Sequence, residues 1–308
     1  MQNKGDGHTS KAKMLANRFF EMKRKSRLLY FDVDEFEKIA DHYIKHRRLP
    51  LANEAIQYGL QLHPTALSLK VWKAKIQIGR RQYRAALKTL ETLTNIETAD
   101  SDVHLMIGEA HAFLENMEKA AVAFDHALEV SYGEERIEVF YNISYILEQL
   151  EAFDLLVHYL KMAHSEAPKD LRIIYDLAFT YERLGNYEES TNYFDKYLTR
   201  DPFSESAWFN IGVSLSRQGI YDAAAQANDF AIAVDPDYPE PYFNKGRNEF
   251  FLGEYDEAIE SFMEYLRFEP ESVETYQSLG ECYEHLQDYP NALKYYHTAL
   301  EKKPEYHE

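Results

Sequence analysis

Small, apolar and proline positions recur along most of this chain with a period of 34 residues. Pro168, Pro202, Pro236, Pro270 and Pro304 all stand at that interval. Aligned on them, repeats begin near Ile137, Leu171, Glu205, Pro239 and Val273. The same columns run backward to Ser101, Leu67 and Val33 once two extra residues are placed in the Ser131 to Arg136 turn, and Pro64 then fills the first repeat's proline slot. The eighth position is small throughout: Ala40, Ala74, Gly108, Ser144, Ala178, Gly212, Gly246 and Gly280. Twelve residues on stand Ala52, Ala86, Ala120, Leu156, Ser190, Ala224, Ala258 and Ala292, of which only Leu156 is large. Small residues at both places let paired helices approach closely, so each repeat predicts a helical hairpin. Between them runs an apolar column, Leu49, Tyr83, Met117, Phe153, Tyr187, Tyr221, Tyr255 and Tyr289, expected just before the second helix as a staple. Gly185, Gly219 and Gly253 are expected to end first helices in the left-handed conformation. Pro50 and Pro290 fall at the start of second helices, where a missing N–H costs nothing.

These columns resemble the tetratricopeptide repeat (TPR) pattern: a large residue, Leu, Gly or Ala, Tyr, Ala, Phe, Ala and Pro at set offsets. The eighth repeat carries Tyr276, Leu279, Gly280, Tyr283, Ala292, Tyr296, Ala299 and Pro304. The sixth carries Trp208, Ile211, Gly212, Ala224, Ala231 and Pro236 but has Asn228 where an aromatic is usual, and the second and third lack the terminal proline. The resemblance covers residues 33 to 308. It implies an all-α fold, a right-handed α-solenoid superhelix of about eight TPR helix-turn-helix hairpins.

Residues 1–32 lie outside that array. Up to residue 29 they carry eight basic side chains against Asp6 and Glu21, with Met14, Leu15, Phe19, Phe20, Met22 and Leu28 at loosely helical spacing. The segment reads as a basic tail or as a helix capping the first repeat, since the terminal repeats of a solenoid need covering. A basic arm reaching an acidic partner or a membrane is the alternative. At the other end, His307 and Glu308 stand in register as the start of a ninth repeat. The array is therefore expected to be truncated there, or to stack end to end on another molecule through the neighbourhood of Leu293, Tyr296 and Leu300.

Composition narrows the function classes. The formal charge is −18, and the basic start leaves the rest more acidic still, which disfavours nucleic-acid binding by the body. No apolar run reaches the roughly 20 residues of a membrane span, and the first 30 residues hold no signal-like run, so a soluble cytoplasmic protein is expected. One cysteine, Cys282, excludes an internal disulfide framework and a cysteine zinc cluster; beside Leu279 and Tyr283 it reads as an inert packed thiol. His42 and His46 have the four-residue spacing of helical metal ligands, but structural or catalytic zinc needs three or four ligands and Arg47 and Arg48 follow directly. Asn142-Ile143-Ser144 has the glycosylation pattern but falls inside a predicted helix. Phosphate loops, nucleophile elbows and dinucleotide fingerprints are absent from the sequence. The reading is thus no enzyme, no metal and no cofactor.

The TPR resemblance implies that positions 2, 5, 6, 9, 12 and 13 of the first helices line an inner groove. Helix geometry agrees for 2, 6, 9 and 13, which form one stripe. In the fourth repeat this places Tyr141, Asn142 and Tyr145 in the groove, and in the fifth Tyr175, Asp176, Phe179 and Arg183. The sixth adds Phe209, Asn210 and Arg217, and the seventh Phe243, Asn244, Arg247, Phe250 and Phe251. Core positions have a separate set: Phe140, Ile143, Ile174, Leu177, Trp208 and Ile211. The aromatics offer contact area, while Asn142, Asp176, Asn210, Asn244 and Ser278 resemble the asparagine ladder that holds a peptide backbone in some TPR superhelices. The chaperone-binding carboxylate clamp of the family is disfavoured, because the lysine it needs at position 5 is replaced by Leu105, Tyr175 or Phe209. The expected function is a scaffold that binds an extended, partly acidic and apolar segment of a partner protein. Two alternatives stay open: the non-catalytic TPR region of a larger enzyme or assembly, and a self-associating structural scaffold.

Overall fold

Alternation of buried small residues with bulky ones sets how the helices of this protein pair. The computed structural model describes residues 5–25, 28–94 and 100–302, and among these every regular element is a helix. The chain divides into two compact units, residues 1–152 and 153–308.

In the first unit, α1 (Gly5–Arg24) precedes the hairpins α2 (Val33–Lys45) with α3 (Leu49–Leu62), α4 (Leu67–Gly79) with α5 (Tyr83–Thr94), and α6 (Ser101–Ala112) with α7 (Met117–Val130). The helix α8 (Glu134–Gln149) follows and starts three residues before Ile137. The helix α1 lays Leu15, Ala16, Phe19 and Met22 into the core of the first hairpin. Phe19 meets Phe31 and Phe36 edge-on at 6.0 and 6.4 Å, and the Tyr43 hydroxyl donates to the Ala16 carbonyl at 3.1 Å. Met14, Phe20 and Leu28 stay exposed, so only half of the apolar positions in this segment pack into that core. Lys23 pairs with Glu54 across to α3.

In the second unit, α9 (Phe153–Glu166) precedes α10 (Leu171–Arg183) with α11 (Tyr187–Leu198), and α12 (Glu205–Arg217) with α13 (Tyr221–Val234). Then come α14 (Glu240–Leu252) with α15 (Tyr255–Phe268), and α16 (Val273–His285) with α17 (Tyr289–Lys302). Asp170, Asn186, Ser204 and Ser272 cap helix starts, each side chain accepting from a backbone N–H two or three residues on. Pro304, His307 and Glu308 lie outside the described residues.

The two small columns face bulk. A Cβ added at Gly108 would sit 2.3 Å from Phe124, and one at Gly246 would sit 2.8 Å from Phe262, so these helices cross at a distance only glycine permits. Asn228 takes the aromatic slot opposite Gly212, buried, its amide donating to the Ala224 carbonyl at 2.7 Å. Two expectations change. The apolar column forms the first residue of each second helix rather than preceding it. Moreover, the left-handed turn is not confined to three glycines. Arg47, Arg81, Glu115, Glu151 and Gln287 hold φ of 51° to 61° in the same slot, a strained conformation for a residue with a Cβ. Tertiary packing of the hairpin imposes the turn whatever the residue.

Candidate functional site

Side chains that face away from the hairpin cores gather on the first helices. Two cavities, one within each unit, are lined chiefly by positions 2, 5, 6, 9, 12 and 13. The second unit's, about 350 Å³, is bordered by Arg247, Phe250 and Phe251 of α14, Phe262 of α15, and Glu274, Gln277, Ser278 and Glu281 of α16. The first unit's, about 370 Å³, is bordered by Trp72 and Lys75 of α4, Leu105, Met106 and Glu109 of α6, and Asn142 and Tyr145 of α8 among others. Sequence reading placed the site in the fourth to seventh repeats and missed the second and third. The signal was available: Trp72, Lys75, Met106 and Glu109 stand in the same columns.

The aromatics at position 5 are half-buried, not free. Tyr175 packs edge-on against Phe194 and Tyr197 at 5.4 Å, and Phe243 lies 5.6 Å from Phe262 and 5.2 Å from Tyr265. Phe209 meets Tyr238 at 5.3 Å. Tyr175 and Phe243 brace the first helix against the second, and Phe209 packs on the turn that leads to α14, so these rings are packing residues as well as members of the outward stripe. Tyr141 and Phe179 are half-buried as well, whereas Tyr145 is 61% exposed. Trp208, read as core, is only partly buried; it stacks on Phe230 and donates from Nε1 to the Pro202 carbonyl at 2.9 Å.

Position 13 also has a structural role that the sequence reading did not assign. The ring that opens one second helix stacks on position 13 of the next repeat. Tyr83 stacks on Phe113 with centroids 4.9 Å apart, Tyr221 on Phe251 at 4.8 Å, and Tyr255 on His285 at 4.7 Å. The Arg183 guanidinium lies 5.3 Å from the Phe153 ring in the same manner. Arg183 thus braces two successive repeats while its side chain stays exposed. Its neighbour in the column, Arg217, is exposed and makes no ion pair or hydrogen bond among the described residues, and the same is true of Arg247.

The polar ladder divides. The amide of Asn142 donates to the Glu138 carbonyl of its own helix at 2.8 Å. Asn210 donates to the Ser206 carbonyl at 2.8 Å and to the Tyr175 hydroxyl at 2.9 Å. Asp176 lies 3.9 Å from Arg172. Asn244 and Ser278, both half-buried, make no hydrogen bond with any described residue. Charge on this face is mixed, because Glu274 and Glu281 border the same cavity as Arg247.

Other candidate chemistry resolves into packing. Cys282 is fully buried, and burial pushes its thiol up to about 12, so it stays protonated. The rings of His42 and His46 lie 4.3 Å apart, with His46 Nδ1 2.7 Å from the His42 carbonyl oxygen. Among the described residues no group of three or more His, Cys, Asp or Glu is placed to hold a metal, and no helix is long and apolar enough to cross a membrane.

Comparison with known families follows the same period. Residues 101–132 and 239–272 match one tetratricopeptide repeat model, 175–239 a second and 273–306 a third, together more than half of the chain. The chain belongs to the tetratricopeptide repeat family. Solved structures agree on the fold. A crystal structure of MamA is 26% identical, spans 53% of this chain and 95% of its own, and superposes with a TM-score of 0.52. MamA from Desulfovibrio magneticus RS-1, from residue 41 onward, is 20% identical over 58% of this chain and 100% of its own, with a TM-score of 0.54. PilW, a type IV pilus biogenesis factor, is 21% identical over 68% and 95%, with a TM-score of 0.52. No curated protein sequence matches significantly. This TPR protein is a protein-interaction scaffold built of helical hairpins.

Proposed function

We propose that the face of the first helices in the second unit, from α10 to α16, binds an extended segment of a partner protein. The observation that carries this reading is the coincidence of the cavity with groove positions of two consecutive repeats: Arg247 and Phe251 line it, Asn244 stands one turn before Arg247 on the same helix, and neither Arg247 nor Asn244 makes a hydrogen bond or ion pair among the described residues. Phe251 is 51% exposed despite its stack on Tyr221 and offers an apolar surface at low entropic cost. Asn244 supplies an amide that can pair with a peptide N–H and C=O. Arg217 and Arg247 are unpaired cations in a unit with thirteen basic and thirty acidic side chains, and they favour a ligand carboxylate. Glu274 and Glu281 limit that preference to the α12–α14 part of the face.

Selection from a random peptide library, followed by titration of the enriched peptide, tests this. Asn244→Ala and Arg247→Ala should each weaken binding by about 1–3 kcal/mol, the cost of an unmet polar group in the ligand, with helix content unchanged. Enriched peptides that bind both variants as well as the parent would refute the reading. A second reading, self-association, draws on Tyr289 and Leu293 of α17, which are 59% and 69% exposed. Light scattering of Leu293→Glu against the parent separates it: a particle mass that falls with the substitution supports association through α17, and an unchanged mass excludes it.

A further inference from the structure

The cavity of the first unit has a chemistry of its own. Its walls are mostly apolar, with Trp72, Ile78, Leu105 and Met106 prominent, and Tyr145 borders it as an exposed ring. Two carboxylates line it, Asp102 and Glu109, and one cation, Lys75. Lys75 is drawn to the Trp72 ring, its ammonium 5.2 Å from the centroid. Asp102 is exposed, whereas Glu109 is half-buried in the cavity wall. Glu109 makes no hydrogen bond or ion pair with any described residue, and burial raises its carboxyl above the ordinary range with no cation among the described residues to offset it. A desolvated carboxylate without a partner is costly to keep ionised. A cation entering this cavity would be its first partner.

We propose that this cavity binds a basic residue of a partner protein, lysine or arginine, with the aliphatic stem against Trp72 and Met106 and the charged head on Glu109. Long basic side chains combine an apolar stem with a charged tip, which matches an apolar wall ending in a carboxylate. Trp72 and Tyr145 add aromatic surface that attracts cations. An acidic side chain would meet two carboxylates instead. A purely apolar one would cover Glu109 further and leave it unpaired. The site is separate from the face proposed on the second unit, and neither reading depends on the other.

The test uses Trp72 as its own reporter. Trp208→Phe leaves Trp72 the single tryptophan of the chain. Acetylated and amidated peptides Ala-Leu-X-Leu-Ala, with X lysine, norleucine or glutamate, are titrated against its fluorescence. The lysine peptide should bind about tenfold more tightly than the norleucine peptide, the size of one charge-assisted hydrogen bond, and the glutamate peptide least. Glu109→Gln should erase the lysine advantage and leave norleucine binding in place, which also shows that the variant is folded. Equal affinity for lysine and norleucine would reduce the site to an apolar pocket and overturn the proposal. So would tighter binding of the glutamate peptide, a lysine advantage that survives Glu109→Gln, or no response to any of the three.

Discussion

Gly280 stands where the first helix of the last described hairpin crosses the second, and its replacement by alanine sets two effects of opposite sign against each other. Alanine inside a helix is favoured over glycine by about 1 kcal/mol. The new Cβ, however, would lie 2.4 Å from Cε1 and 2.5 Å from Cδ1 of Tyr296. Carbon atoms meet comfortably at about 3.5–4.0 Å, so the overlap is about 1 Å. The ring is not free to withdraw, because its hydroxyl donates to Glu284 Oε2 at 2.8 Å on the same helix as Gly280. Overpacking of this kind costs about 1–3 kcal/mol, which outweighs the helix gain. We expect a net loss of about 1 kcal/mol in urea denaturation followed by circular dichroism. The cause is separable by a double-mutant cycle with Tyr296→Leu. Elsewhere the residues equivalent to Gly280 and Tyr296 are Ala74 with Leu90 and Ala40 with Ile56, each pair in one core, so in the Tyr296→Leu background Gly280→Ala should become stabilising by up to about 1 kcal/mol. Ala178 and Phe194 share one core in the fifth repeat, so an alanine can coexist with a ring in these positions. A Gly280→Ala protein more stable than the parent, with no coupling to Tyr296, would refute the idea that crossing distance is set by these columns.

Two further outcomes follow from the first unit. Phe19→Ala removes a ring that is 1% exposed and packed against three others, Phe31, Phe36 and Tyr58, and should cost about 3–5 kcal/mol, read as lost hydrogen-exchange protection in α1 to α3; unchanged protection there would exclude a capping role for α1. Burial raises the Glu109 carboxyl in the folded state above its usual value of 4.5, so the folded chain holds a proton that the unfolded chain releases. Stability from this group is complete below the ordinary carboxylate range and is lost as pH rises through the raised value. Glu109→Gln should therefore melt higher than the parent at pH 7 and show no such advantage at pH 4; an advantage of the same size at both would contradict the linkage.

Repetition made the fold legible from the sequence. One 34-residue match says little, but small residues in two columns, a large apolar residue in a third and proline in most members of a fourth leave helical hairpins as the one economical solution. The register was readable because glycine and alanine at helix crossings answer to sterics that depend only on the local pair. The candidate face was legible by column, since helical periodicity fixes which positions share a stripe. Which members of the stripe are available was not. Arg183 and Phe251 stand in one column, yet Arg183 lies over Phe153 as a staple while Phe251 stacks on Tyr221 and still exposes an edge to a cavity. Asn210 and Asn244 are identical in type and register, but a tyrosine hydroxyl engages the first and leaves the second open.

The amino-acid sequence by itself determined the helical hairpins, their boundaries within a few residues, and the stripes that face outward, because these follow from periodicity and side-chain volume along the chain. Only the tertiary structure decided which outward groups remain unpaired, because ring stacks and hydrogen bonds between repeats depend on distances of a few ångströms across helices. It also decided that five residues with side chains adopt the left-handed turn, since packing on both sides of the turn outweighs the local preference. Glu109 is the clearest case. In the sequence it is one of fifty-two acidic residues; in the fold it is half-buried in a cavity wall with no counter-charge among the described residues.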